Sequence, residues 1–288
     1  METMPIRKLP VGIQDFTSLR EDGYLYVDKT ALVYKMVTTG KPYFLSRPRR
    51  FGKSLLLSTL EAYFLGRKDL FKGLAIEQLE KDWKVYPVLH LSLNAQFYEN
   101  KRSLEQVLDA HFIQWEKKYG ETDKEVGYSA RFMQIIQQAC EKTGEKVVVL
   151  IDEYDKPLLQ AINNESLMDA YRRTMKAFYG VLKSADRYLR FVFITGVTKF
   201  SQLGIFSNLN QLMDISMAPD YATICGMTKA EIERDFQPEL AALATMNKLT
   251  YEQTVNEMTK RYDGYHFSEF LSDGIYNPFS VLNALVQK

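Results

Sequence analysis

Residues 47–54 read Arg-Pro-Arg-Arg-Phe-Gly-Lys-Ser, and much further along the chain residues 152–155 read Asp-Glu-Tyr-Asp. Each stretch has a chemistry. At a helix start the first backbone N–H groups lack intrahelical partners and point at one spot, where the helix dipole adds partial positive charge. A glycine at 52 lets the main chain curl close to an anion. Lys53 is then placed to reach the outer phosphates of a nucleotide, and the Ser54 hydroxyl to ligate Mg²⁺. Arg49, Arg50, Phe51, Gly52, Lys53, Ser54 and Leu55 are therefore the candidate phosphate-binding residues. The usual loop of this kind carries a glycine five residues before Gly52. Here Arg47 stands in its place, followed by Pro48, so the first turn must be made some other way.

Asp152 and Glu153 follow the apolar run Val-Val-Val-Leu-Ile. Two carboxylates at the C-terminal end of a buried strand sit where ligands gather in open α/β sheets. Asp152 suits a magnesium carboxylate, with Ser54 as the other metal residue. Glu153 suits the base that polarises an attacking water. Asp155 either assists the metal or, as we expect, caps the segment beginning at Lys156-Pro157. A third apolar run ends in Thr195-Gly196-Val197-Thr198-Lys199. Thr195 or Thr198 could sense a terminal phosphate there, Thr195 being the catalytic candidate; a plain strand-end turn is the alternative for each.

These residues need a scaffold, and the patterning supplies one. Continuous apolar runs at 42–46, 87–93, 146–151 and 190–195 suggest strands buried on both faces. Between them lie helical stripes, such as Leu104, Val107, Leu108, Phe112, Trp115 and Tyr119, with Ser103 and Gln106 as an expected capping box. Phe132, Ile135, Ile136 and Ala139 form another stripe, stopped by Gly144. A strong helix over 55–65 follows the phosphate loop. The expected fold class is α/β, a P-loop NTPase three-layer sandwich with a mainly parallel central sheet, plus a smaller mainly helical C-terminal region. The domain reading is 1–221 for the core with an N-terminal extension and 222–288 for a helical appendage. Helix starts are expected at Thr228 with Glu231, at Thr250 with Gln253, and at Asn277-Pro278. The abrupt end at Lys288 suggests a fragment of something longer.

Composition narrows the rest. The 288 residues carry a formal charge of +1, so no global basic field favours nucleic acid. Two cysteines, Cys140 and Cys225, support neither a disulfide framework nor a zinc site. No apolar run approaches membrane-spanning length and residues 1–10 lack a signal-peptide core, so a cytoplasmic location is expected. Among lesser candidates, Arg49 and Arg50 contact phosphate, act on a neighbour's nucleotide, or pair within the loop. Tyr26, Asp28, Lys29 and Thr30 hold an adenine or simply cap a helix. His111 is expected to pack, and His266 to be a packed turn residue or a nucleotide sensor.

The motifs Pro10-Val11-Gly12-Ile13 with Phe16, Tyr26-Val27-Asp28-Lys29-Thr30, Arg47–Ser54, Asp152–Pro157, Thr195-Gly196-Val197, Tyr262–Phe267 and Asn277-Pro278-Phe279-Ser280 together resemble the bacterial AAA-ATPase-like family. The resemblance runs through nearly the whole chain. It implies ATP and Mg²⁺, the strand order of ATPases with an additional strand and a catalytic glutamate, and hydrolysis of the γ-phosphate coupled to a conformational change or a partner. A non-hydrolysing nucleotide switch or scaffold is the alternative, and a small-molecule kinase a further one. Full-length relatives often continue into a restriction-endonuclease-like nuclease domain, hence an indirect nucleic-acid partner; an oligomer is compatible. Glu116 and Lys118, on a striped helix, do not make a nuclease constellation. The lack of an Asn-Lys-x-Asp motif argues for ATP over GTP.

Overall fold

A computed structural model describes residues 7–40, 42–94, 97–199, 205–206, 211–270 and 274–287. The four apolar runs form β1 (Pro42–Ser46), β2 (Val88–Ser92), β3 (Val147–Asp152) and β4 (Leu189–Gly196). A fifth strand, β5 (Met213–Asp214), was not expected. Both its residues are exposed and it pairs with β1 through Tyr43 and Phe44. All five strands are parallel, in the order β2-β3-β4-β1-β5. β4 is thus inserted between the strand that leads into residues 47–54 and the strand that ends in Asp152, the additional-strand arrangement.

Two apolar layers sandwich the sheet, which is why the runs are continuous. On β3, Val147, Val149 and Ile151 face one core, and Val148 and Leu150 face the other. The first core is closed by α5 (Lys101–Tyr119), α6 (Tyr128–Thr143) and α8 (Glu165–Ser184). The second is closed by α1 (Phe16–Glu21), α2 (Thr30–Thr39) and α3 (Lys53–Phe64). Helix α3 begins at Lys53, two residues before the expected start, because Gly52 takes a left-handed φ of 88° and turns the chain directly into the helix. The cap of α5 also differs from expectation. Asn100 is the N-cap and Ser103 is the residue that answers it, in a capping box one turn earlier than the Ser103–Gln106 pair. Gly144 ends α6 in a left-handed conformation.

Beyond β5 come α9 (Lys229–Asp235), α10 (Gln237–Met246), α11 (Tyr251–Tyr262) and α12 (Pro278–Val286), preceded by the short α4 (Ile76–Leu79) and α7 (Lys156–Gln160) earlier in the chain. Thr228 with Glu231 and Thr250 with Gln253 form reciprocal capping boxes, and Asn277 caps α12 ahead of Pro278. These helices share a third core that also takes in Leu9, Val11, Leu25 and Val27 from the start of the chain. Glu116 is buried against Arg131, whose Nε donates to it at 2.7 Å, so it braces α5 against α6. No helix among the described residues is long and apolar enough to cross a membrane.

Candidate functional site

The C-terminal ends of β1 and β3 bring the two motifs together. The Ser54 hydroxyl, in the first turn of α3, donates to Asp152 Oδ2 at 2.6 Å. Asp152 ends β3 and Ser46 ends β1, with Gly196 at the tip of the strand between them. A parallel sheet places all of these at one edge, so residues distant in sequence become neighbours. Oxygen donors of this kind, one hydroxyl and one carboxylate, match what Mg²⁺ takes from proteins while keeping several of its waters. Ser54 and Asp152 therefore fit the ion implied by the sequence.

Lys53 is buried at the mouth of α3. Its ammonium donates to Arg47 O and Pro48 O, both at 3.0 Å. Burial pushes its pKa down, while Cys225 and Asp152 push the other way. Glu153 follows Asp152 with φ at 52°, an uncommon conformation for a residue with a side chain. Its N–H donates to Asp152 Oδ1 at 2.9 Å. Burial, and then the charge of Asp152, raise its pKa above the ordinary glutamate range. A half-buried carboxylate that holds a proton more readily than usual is suited to accept one.

Lys53, Ser54 and Glu153 open into one cavity of about 330 Å³, within the size range of small-molecule sites. The loop residues Arg49 to Leu55 form one wall. The opposite walls come from both ends of the chain. Ile13, Gln14 and Val27 line it from the N-terminal side, and Met227, just before α9, with Phe279 and Leu282 of α12 from the C-terminal region. Tyr26 and Lys29 also line it, whereas the Asp28 carboxylate is occupied by the Thr30 N–H and hydroxyl and by Ala75 N–H. Lys29 Nζ reaches both oxygens of Glu231 at 2.5 and 2.6 Å, linking the start of α2 to α9.

Other candidates fall elsewhere. Thr195 is fully buried and its hydroxyl donates to Leu45 O at 2.8 Å, so it ties β4 to β1 and does not line the cavity. We expect Thr195→Val to cost about 1 kcal/mol, the ordinary worth of one hydrogen bond, seen as a few degrees of melting temperature, with phosphate release unchanged. A tenfold loss of release at unchanged melting temperature would return Thr195 to the chemistry. Asp155 occupies the N-cap position of α7 but its side chain does not cap that helix. Instead it accepts from Val197 N–H at 3.0 Å and Thr198 N–H at 2.5 Å, fastening the turn after β4. Arg49 and Arg50 are exposed, with the Arg50 guanidinium 4.2 Å from the Phe279 ring centre. His111 packs near Trp115 and bonds to Val107 O. His266 is exposed and does not line the cavity; its neighbours Tyr265 and Phe267 pack on Phe51.

The walls from residues 10–14, 224–227 and 278–282 were not assigned a role from sequence. Gly226 explains one approach: its φ is 89°, its N–H donates to Phe51 O at 3.1 Å, and a side chain there would run into Ile275. The signal lay in Pro10-Val11-Gly12-Ile13 and Asn277-Pro278-Phe279-Ser280, motifs visible in the sequence but without a partner to pack on.

Comparison with known proteins fits this geometry. A family model described as "Predicted AAA-ATPase" matches residues 10–206. A protein of Azotobacter chroococcum mcd 1, named "Uncharacterized protein in vnfD 5'region", is 38% identical over 281 residues, covering 97% of this chain and 52% of that protein. The chain thus spans about half the length of this relative. No solved structure matches.

Proposed function

The chain belongs to the AAA-ATPase-like family of predicted ATPases, and from that premise we propose that it binds ATP with Mg²⁺ in the cavity beside Lys53 and hydrolyses the γ-phosphate. The observation that carries the reading is the 2.6 Å contact between Ser54 and Asp152, with Lys53 and Glu153 opening into the same cavity. Amides of residues 49–54 and the Lys53 ammonium receive the phosphates. Apolar walls such as Ile13, Met227 and Leu282 cover the base and ribose. Magnesium, held by Ser54 and Asp152, would neutralise charge on the phosphate oxygens. Glu153 takes a proton from the attacking water as its oxygen bonds to the γ-phosphorus, and the bridging P–O bond to ADP breaks. Because C-terminal helices wall the cavity, occupancy is felt by that region and by any partner or downstream domain attached to it.

The direct test is phosphate release from γ-labelled ATP with and without Mg²⁺ and with no acceptor present. We expect Mg²⁺-dependent release into water. Release only when an acceptor is added would make the protein a kinase. Tight ATP binding with no release would make it a nucleotide-controlled switch.

A further inference from the structure

Arg47, the residue that replaces the usual loop glycine, is the largest side chain that the fold buries completely, at 1% exposure. One guanidinium nitrogen donates to Ser46 O at 3.0 Å and Ser216 O at 2.6 Å, and the other to Tyr221 O at 3.3 Å and, at the limit, Ala222 O at 3.5 Å. The guanidinium carbon Cζ lies 3.9 Å from the centre of the Phe267 ring. Among the described residues these hydrogen bonds all go to carbonyl oxygens, and the buried Nε has no partner. A buried cation whose hydrogen bonds all go to neutral carbonyls, with the charge of Asp214 and the Phe267 ring face as its other support, is an expensive feature for a fold to carry. A glycine at 47 would carry no such cost, so the side chain must serve something beyond making a turn.

What it serves is visible at the other end of the same residue. The main-chain carbonyls of Arg47 and Pro48 are the two acceptors of the Lys53 ammonium. The side chain of Arg47 fixes those carbonyls to segment 216–222 and Phe267, far along the chain. Neighbouring loop residues are tied to the same region: Phe51 O receives Gly226 N–H at 3.1 Å, and Arg49 O receives Asn277 Nδ2 at 3.3 Å. The first half of the phosphate loop is therefore held from outside, by the C-terminal third of the chain, whereas a glycine-type loop is held by its own curvature.

We propose that Arg47 is a positioning residue for the triphosphate: by clamping the loop to residues 216–222 and Phe267 it sets where the Lys53 ammonium can sit, and so determines affinity for the outer phosphates. This rests on the reading of the cavity as an ATP site. It assigns Arg47 no contact with the nucleotide.

The test uses the full chain and measures equilibrium binding of ATP and of AMP, which lacks the outer phosphates, to Arg47→Lys, Arg47→Met and Phe267→Leu. Lysine keeps the charge but cannot fork to several carbonyls. Measurements are made well below each variant's melting temperature. Losing a well-placed hydrogen bond between charged groups is worth about 10- to 100-fold in affinity, so ATP affinity should fall by about 10- to 100-fold in each variant, with little change for AMP. Arg47→Met and Phe267→Leu should be non-additive when combined, since both break one clamp. Unchanged ATP affinity with only a lower melting temperature would overturn the proposal, as would equal losses for ATP and AMP. If Arg47→Met does not fold, Phe267→Leu reads the same clamp from the other side. Failure of the wild type to bind ATP would remove the reading of the site itself, a separate and recognisable result.

Discussion

Glu153→Gln should leave ATP bound and stop its hydrolysis. Glutamine matches glutamate in size and can take the same place at φ 52°, so the turn after β3 and the contact between Ser54 and Asp152 should survive. What disappears is the carboxylate proposed to accept the proton of the attacking water. General-base assistance of this kind is worth about 10²–10⁴-fold, so single-turnover phosphate release should fall by that factor while the ATP dissociation constant stays within a few-fold. The left-handed backbone at 153 sharpens the expectation. A non-glycine residue held there costs about 1–2 kcal/mol, and such strain persists where surrounding structure fixes it. Here it is fixed by Tyr154, which is completely buried and donates its N–H to Thr195 O at 3.0 Å. The result is a carboxylate turned toward the cavity from a strand end whose other neighbours are buried. Equal rates for wild type and Glu153→Gln would exclude Glu153 as the base. A parallel loss of ATP affinity would instead make it a binding group.

The sheet was legible because its physics is local. A strand covered on both faces must be apolar along its covered length, and residues 42–45 and 147–151 are. Helix starts at Thr228 and Thr250 were legible for a similar reason, since a capping box is a contact between residues three apart. β5 was not legible: Met213 and Asp214 pair with β1 through main-chain groups alone and leave both side chains outside. At α5 the pattern gave the helix but not its cap, because Ser103 can play either partner in a capping box and only the geometry of Asn100 decides. The acidic pair and the Gly-Lys-Ser triplet were found, and so was the strand between them. Thr195 had two readings that sequence cannot separate, since a threonine at a strand tip can point to ligand or bond to the neighbouring strand, and here its hydroxyl bonds to Leu45 O. The cavity's far walls were hidden for a deeper reason. They join residues 10–27 to 224–282, and no local period encodes which distant segment will meet the phosphate loop.

Replacing Lys53 by methionine should have a larger effect on binding than any other single change in the cavity. Lys53 is 6% exposed, and its ammonium rests on two carbonyls of its own loop. For it to meet a phosphate it must leave or share those bonds, and hydrogen bonds to a charged group are worth about 1.5–3 kcal/mol each. A ligand with only one phosphate held by loop amides has no reason to draw the lysine across. A triphosphate does, because its outer oxygens carry full charge into a site already partly desolvated, where such attraction is stronger than in water. On the proposed reading of the site, the resting position of Lys53 would favour ligands that carry the outer phosphates. Methionine keeps the length and the apolar stem but removes that attraction. A hydrogen bond to a charged group is worth about 1.5–3 kcal/mol, about 10- to 100-fold in affinity, and ATP affinity should fall by at least that much, carrying hydrolysis with it. AMP affinity should change far less. Isothermal titration of ATP and AMP against both proteins, with melting temperatures measured alongside, checks each part. A methionine variant that binds ATP as tightly as the wild type would mean that the phosphates lie elsewhere in the cavity, away from the start of α3.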